Sequence, residues 1–349
     1  MNKKNVAILF GGYSPEHEVS IATAANIISY MPEEKYNIIP VYITREGKWL
    51  MYDGHIDNIK NLHWERLGVQ AFFTPDRVMR GLCRIVGDKV KLIPVDVVFP
   101  ALHGRYGEDG TVQGLFEMSG IPYVGGGVLA SAVSMDKEYM KIVAKNLNMN
   151  QARYVVLTRH DLNKIPKMGY PMFVKPANGG SSVGVSKAKN KKELDMAIEA
   201  AFVYDSRIII EKAVPGREFE CSVLGSGKRD ARASGIGEVI PGGEFYDYDS
   251  KYNDNGTRLI VKADIPEETE NEMRGLAVKI FNGVNGSGLA RVDFFICENT
   301  GEIVFNEINT MPGFTSVSMY PRLWESAGIQ GPELIDTLIE LAFIRKIES

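Results

Sequence analysis

Residues 173–187 read FVKPANGGSSVGVSK: a short apolar run meets a lysine, then two glycines, two serines and another glycine. A backbone with so little side chain can adopt positive φ and fold close over a ligand, and serine hydroxyls beside bare N–H groups are the donors an oxyanion needs. Phosphate is the ligand this composition suggests. The Walker pattern G-x-x-x-x-G-K-[ST] leading into a helix is absent, because Gly184 is followed by Val185, Ser186 and Lys187 in a β-like alternation. The stretch instead predicts a hairpin, with strand PMFVK, a glycine-serine turn and strand GVSKA. Taken alone, an ordinary glycine-rich turn explains it equally well.

The flanking sequence gives the hairpin its setting. Helix MDKEYMKIVAKNL and strand RYVVL precede it, and helix KKELDMAIEAAF and strand RIIIEKAV follow, so helices alternate with strands that pair antiparallel over about 125–213. Before this unit, in residues 1–124, NVAILF, a helical pattern from about Val19 to Met31, IIPVYIT, an irregular stretch, VDVVFPAL, a helix near Thr111 to Met118 and IPYVG alternate as strand and helix. That order argues for a parallel-sheet α/β unit with ligands at the carboxyl ends of its strands, where GGYSPEHEVS and ALHGRYGEDGTVQG fall. The remainder, 214–349, is strand-rich and closes with the amphipathic helix PELIDTLIELAFIRKI. No internal repeat or low-complexity tract interrupts the three units.

The 349 residues are too many for one simple core and agree with this division. A formal charge of -4 with scattered basic residues gives no electrostatic reason to expect nucleic acid or a membrane surface. The apolar run of MNKKNVAILFGG is broken at Gly11 and Gly12, short of a signal h-region, and nothing later approaches a membrane span. Cys83, Cys221 and Cys297 are far apart and odd in number, which suggests buried thiols in a reducing cytoplasm.

In LARVDFFICENTGEIVFNEINTMPG, two strands are joined by a turn at Asn299 to Gly301. The period of two puts Arg291, Asp293 and Phe295 on one face of the first strand, and Glu307 and Asn309 on one face of the second. Two carboxylates and an amide oxygen from neighbouring strands form a hard oxygen site suited to magnesium, which takes its remaining ligands from water and phosphates. A solvent-facing polar strand is the alternative. It is disfavoured because an unpaired carboxylate inside the apolar run IVFNEINTMPG would be costly.

The phosphate-covering hairpin, Lys137 and Lys175, the strand IIIEKAV with Glu211 and later Glu218, and the D…E-x-N metal set together resemble the ATP-grasp superfamily, whose nucleotide lies between two α+β units. The resemblance implies that Lys137 and Lys175 contact phosphates beneath the loop carrying Ser182. It also implies that Glu211 and the backbone around Lys212 and Val214 hold adenine, that Glu218 holds ribose, and that Phe295 and Asn306 complete the nucleotide site. The strings GGYSPEHEVS, ALHGRYGEDGTVQG, SMDK, KPANGGSSVGVSK, EFYDYDSKY, ARVDFF and NEINTMPGFTSVSMYP narrow it over nearly the full chain to the D-alanyl-D-alanine ligase family. Among its members the chain looks most similar to the vancomycin-resistance D-alanine:D-serine ligases of the VanG type.

By this resemblance Glu16, Ser181 and Tyr252 form a triad orienting the first D-amino acid. Lys251, on a closing DYDSKYNDNG lid, reaches the γ-phosphate, and Arg291 and the N–H of Gly313 make the oxyanion site. Asp293, Glu307 and Asn309 hold two Mg²⁺ ions, for which Mn²⁺ can substitute. His103 is expected near the first substrate, or as a residue that orders its own loop; Ser318 and Met319 line the acceptor pocket. The implied reaction passes the ATP γ-phosphoryl group to D-alanine and joins the acyl phosphate to D-serine, and also to D-alanine. That product supplies the peptidoglycan precursor terminus and lowers vancomycin affinity; a homodimer is expected. The rival readings are a housekeeping D-alanyl-D-alanine ligase, an ATP-grasp ligase joining another acid and amine, and a nucleotide-binding regulator without turnover.

Overall fold

A computed structural model describes residues 3–52, 54, 68–162, 165, 167–227, 230–242 and 256–348. Its strands form three sheets. The first begins with β1 (Lys4–Gly11), whose run VAILF is buried on both faces. Val6, Ile8 and Phe10 enter one core with Ile21, Ala24 and Ile27 of α1 (His17–Tyr30), while Ala7 and Leu9 enter another with Val112 and Phe116 of α2 (Thr111–Ser119). A strand apolar in both phases of its two-residue period needs a helix on each side, which is the environment of parallel strands. β1 accordingly pairs in parallel with β2 (Tyr36–Ile43) and β7 (Val97–Pro100).

The sheet does not stop there. The stretch expected to be irregular supplies β3 (Trp49–Met51), β4 (Val69–Phe73), β5 (Gly81–Val86) and β6 (Lys89–Pro94), added antiparallel beyond β2 in the order β6-β5-β4-β3-β2-β1-β7. These strands are short, and the outermost exposes Lys89 and Lys91, a charged edge that discourages pairing with another chain. IPYVG is not a strand; it contributes the single parallel bridge of Tyr123 to Val98.

After α3 (Val128–Met135) and α4 (Lys137–Asn146), the second sheet runs β10 (Ser186–Ala188), β9 (Met172–Pro176), β11 (Arg207–Lys212), β8 (Tyr154–Thr158) in spatial order, and α5 (Lys191–Ala201) covers one face. The third is fully antiparallel. Its order is β14 (Arg258–Ile260), β13 (Arg232–Ile240), β12 (Gly216–Gly225), β15 (Gly288–Cys297), β16 (Ile303–Asn309). Phe219, Cys221, Val223, Val292 and Phe294 turn one face of this sheet toward Met273, Ala277 and Ile280 of α6 (Glu267–Gly283), and Met140 and Ala144 of α4 join the same core. α7 (Met319–Ser326) lies beside β12 and β13.

The last helix, α8 (Gly331–Glu348), returns to the first sheet: Leu334, Ile335, Leu338 and Ile339 are buried in one cluster with Val6, Ile8, Phe10 and Val97. The Tyr36 hydroxyl donates to Asp336 Oδ1 at 2.8 Å, and the Arg345 guanidinium stacks 3.8 Å from the Tyr123 ring centre. Among the described residues no helix is long and apolar enough to cross a membrane. Because Leu338 is fully buried between the two ends of the chain, Leu338→Ala is expected to lower stability by about 2–5 kcal/mol. A shift of the urea midpoint at unchanged slope measures it.

Candidate active site

The hairpin is built as its sequence predicts: β10 pairs antiparallel with β9, with Ser186 opposite Val174. Its turn takes positive φ not only at Gly179 (145°) and Gly184 (73°) but also at Ser181 (46°) and Ser182 (59°). Two successive left-handed serines are uncommon, and each is disfavoured by its Cβ. A specific bond accompanies this conformation. Ser181 Oγ donates to Glu16 Oε1, joining the loop to the start of α1 across 165 residues of sequence. The carboxylate sits between two glycines: a Cβ on Gly104 would come within 2.5 Å of Glu16 Oε2, and one on Gly180 within 3.0 Å. Lys137 Nζ donates to the Gly179 carbonyl at 2.6 Å, at the other side of the loop.

The loop overhangs a cavity of about 920 Å³ between the second and third sheets. Glu16, His103, Lys137, Lys175, Ser181 and Ser182 line it, as do Glu211, Lys212, Val214, Glu218, Arg291 and Phe295. Asn306, Glu307, Asn309, Gly313, Ser318 and Met319 complete this part of the wall. Asp293 does not reach the wall. Lys251 and Tyr252 lie outside the described residues.

Strand register explains why so many of these side chains share one face. Glu220 of β12 is opposite Asp293 of β15, which is opposite Glu307 of β16; one pair along, Ser222, Arg291 and Asn309 are aligned in the same way. The face away from α6 therefore carries a row of three carboxylates with an arginine beside it. Like charges placed side by side repel, so each needs a partner. Arg291 supplies much of this. Its Nε and Nη2 donate to both Asp293 oxygens at 2.7 Å, and Nε lies 3.3 Å from Glu220 Oε2. Asn309 Nδ2 donates to Asp293 Oδ2 at 3.1 Å.

Across the cavity, Glu211 is almost fully buried between two lysines. Lys141 Nζ is 2.5 Å from one of its oxygens and Lys175 Nζ 2.7 Å from the other. Burial alone would raise the Glu211 pKa, but the two cations outweigh it and hold the carboxyl well below the usual range. Burial likewise works against the charge of Lys175, yet Glu211, Glu307 and Glu218 together push its pKa above the ordinary lysine value. Glu211 is thus an ionised, acceptor-only group whose two oxygens each meet a lysine. Lys212 Nζ turns away and donates to the Tyr170 carbonyl at 2.8 Å, so backbone rather than side chain is what this residue offers the cavity.

The third wall is a set of loops braced by His103 and Glu108. Burial lowers the His103 pKa, so the ring is neutral. Its Nδ1 donates to the Met311 carbonyl at 3.1 Å, which leaves Nε2 to accept from Thr23 Oγ1 at 3.0 Å. One ring nitrogen thus holds the Met311 segment and the other holds Thr23 of α1. Glu108 accepts from the N–H of Gly104 at 2.8 Å and of Met311 at 3.1 Å, tying the 103–108 loop to the segment that carries Gly313. Burial, reinforced by the charge of Glu16, pushes the Glu108 carboxyl up to about 8. Glu16 itself follows a turn in which His17 bonds to Gly12 and Tyr42, so the histidine is structural while the acid faces the cavity.

Glu108, Lys141 and Glu220 were not singled out in the sequence. Lys141 could have been found by its spacing, one helical turn after Lys137 on α4, and Glu220 by the period of two from Glu218. No group of three or more His, Cys, Asp or Glu among the described residues could hold a metal ion. The set Asp293, Glu307 and Asn309 has only two carboxylates, completed by an amide oxygen, and it fits magnesium, which binds few protein oxygens and keeps water or phosphate for the rest. Glu307 and Asp293 face one another across β15 and β16 on the cavity side of the sheet, next to Lys175, where phosphate oxygens would meet them.

Comparison with known proteins shows the family of the chain. Residues 5–126 match the family described as D-ala D-ala ligase N-terminus, and residues 143–340 the one described as D-ala D-ala ligase C-terminus. The chain belongs to the D-alanyl-D-alanine ligase family. It is 48% identical to a D-alanine–D-alanine ligase of Caldicellulosiruptor bescii, over 98% of this chain and 96% of the relative. A D-alanine–D-alanine ligase of Acetivibrio thermocellus is 49% identical, over 99% and 97%. Among solved structures, the VanG D-Ala:D-Ser ligase of Enterococcus faecalis superposes with a TM-score of 0.89 at 37% identity, covering 98% of this chain and all of that one. With that family the chain is an enzyme, an ATP-dependent D-amino-acid ligase of mixed α/β, ATP-grasp-type architecture.

Two expectations follow for the ligase. Glu307→Gln should fold normally yet reduce kcat by roughly two orders of magnitude or more, the scale of the several kcal/mol a bound cation supplies; near-normal turnover at saturating Mg²⁺ contradicts the metal assignment. Glu108 gives a pH signature. Its pKa is raised on folding, so its contribution is intact below the unfolded value near 4.5 and is lost as pH rises through about 8. Glu108→Gln starts from lower stability, since an amide nitrogen cannot accept one of the two backbone N–H bonds. The wild type should lose stability relative to this variant between pH 5 and 8; parallel stability curves contradict the buried-acid reading.

Proposed function

We propose that this ligase joins D-alanine to a second D-amino acid through a D-alanyl phosphate, with D-alanyl-D-alanine as its principal product. One observation carries the reading. The Glu16–Ser181 pair, suited to an ammonium group, opens into the same cavity as the Arg291, Glu307 and Asn309 face, suited to phosphoryl and acyl transfer. The nucleotide lies in the cleft between the central and C-terminal units of the division 1–124, 125–213 and 214–349. Glu211, the backbone at Lys212 and Val214, Glu218, Phe295 and Asn306 hold its adenosine end.

The carboxylate of the first D-alanine attacks the γ-phosphorus, the bond to the β–γ bridging oxygen breaks, and D-alanyl phosphate and ADP result, while Lys137 and Lys175 disperse charge beneath the Ser182 loop. Asp293, Glu307 and Asn309 would hold divalent magnesium or manganese, which would supply further charge neutralisation. Glu16 holds the ammonium of the first substrate, and Ser181 holds Glu16. The amine of the second D-amino acid then adds to the acyl carbonyl, Arg291 and the Gly313 N–H bind the oxyanion, and phosphate departs as the amide forms. Arg291 reaches that oxyanion by exchanging one of its two bonds to Asp293. Lys251 and Tyr252 serve as a lid that excludes water, which would otherwise hydrolyse the acyl phosphate. The enzyme works in the cytoplasm as a homodimer supplying peptidoglycan precursor.

D-Serine is the second reading, and the acceptor wall favours it as an additional substrate. Ser318 Oγ accepts from the Thr315 N–H at 3.0 Å beside the apolar Met319, and an apolar pocket rejects an added hydroxyl by only about 10²-fold. A product ending in D-serine would lower vancomycin affinity. Product partition at equal D-alanine and D-serine, neutral pH and saturating ATP decides: a large excess of D-alanyl-D-alanine is expected, and dominant D-alanyl-D-serine makes this a D-serine ligase. Absence of ADP release with either amino acid refutes the ligase reading.

A further inference from the structure

We propose that Gly237 determines the depth of the acceptor pocket, by giving the Met319 thioether room to lie against β13. The inference rests on the proposed ligase function and adds to it a specificity-determining position that touches no substrate.

Gly237 is opposite Glu220 in the β12–β13 register, on the cavity face of the third sheet. Its φ is not in the left-handed region, so the backbone does not require glycine there. The space around it does. A Cβ at this position would stand 2.6 Å from Met319 Sδ and 2.8 Å from its Cε, well inside the contact distance of about 3.5–4.0 Å. The Ile260 carbonyl oxygen would be 3.3 Å away, a contact that a small shift relieves.

Packing decides where Met319 would go. Its side chain is almost fully buried, clustered with Val239 and Leu323 and flanked by Leu259 and Val261. With β13 beneath and these apolar neighbours around it, Met319 also lines the cavity beside Ser318, and the cavity is the space open to a displaced thioether. Methionine has three rotatable bonds and adjusts at little cost, so a methyl group on residue 237 displaces the thioether by roughly 1 Å into the pocket rather than disrupting the fold. One methylene of lost space in an apolar pocket changes discrimination on the order of ten-fold or more. Glycine at 237 therefore keeps the pocket deep enough for an acceptor side chain larger than a methyl group, such as the hydroxymethyl of D-serine.

The test is a double-mutant cycle of Gly237→Ala and Met319→Ala, reading product partition among D-alanine, D-serine and D-2-aminobutyrate together with the KM for ATP. Gly237→Ala is expected to raise the KM of the second amino acid about ten-fold and to shift partition toward D-alanine, with the KM for ATP unchanged. In the Met319→Ala background the same substitution should leave partition unchanged, since no thioether remains to be displaced. Unchanged partition in Gly237→Ala, or an equal shift in both backgrounds, overturns the proposal. Should Gly237→Ala alone not fold, Met319→Ala against the double variant still decides, because any difference in partition between them overturns it. A parent enzyme that forms no dipeptide overturns the ligase reading and this inference with it; a parent that forms dipeptide with the acceptor profile of Gly237→Ala overturns the inference alone.

Discussion

Arg291 between Asp293 and Glu220 is the constraint around which the site is organised. Three carboxylates in register across β12, β15 and β16 are tolerable on the covered face of a sheet only if cations stand among them, and the guanidinium meets two of them at once. The arrangement fixes strand register as firmly as the apolar core on the opposite face, because a slip of one residue would place the charges against α6. It also leaves the pair ready for rearrangement, since a cation drawn to Asp293 and an oxyanion drawn to Arg291 replace each other's charge.

The second sheet repeats this logic with the signs reversed. Glu211 is the single acid between Lys141 and Lys175, so the lysines are held apart and aimed from a rigid strand and a rigid helix instead of from loops. The glycine-rich turn is tied down at two points, by Ser181 to Glu16 and by Lys137 to the Gly179 carbonyl, and both ties end at charged groups that a substrate would also address.

Much of this was legible in the sequence where a period could be read. The two-residue alternation in ARVDFF and FNEIN put Arg291 and Asp293 together on one strand and Glu307 and Asn309 on the next, and the hairpin declared itself by its glycines. What escaped was what only tertiary contact creates. Lys141, Glu108 and Glu220 look like solvated charges in their segments; a separate sheet or loop closes over them, burying Lys141 and Glu220 and half-burying Glu108. Arg291 and Asp293 were assigned separate tasks although their shared face already made them neighbours. The strands β3 to β6 escaped for a different reason: three to six residues each, one nearly all exposed, they carry too little alternation to separate from a loop.

The return of α8 to the first sheet bears on how the chain is made. On a ribosome the amino-terminal residues emerge first, and β1, β2, β7 and α1 are complete long before the segment that covers them is translated. Val6, Ile8 and Phe10, covered in part by Ile21, Ala24 and Ile27 of α1, then wait for Leu334 to Ile339 to complete their core. The third sheet, whose core is drawn chiefly from residues 219–308, has no such dependence. Assembly order thus runs against sequence order, and part of the first core stays exposed while the two intervening units are made, a period in which a holding chaperone has something to bind.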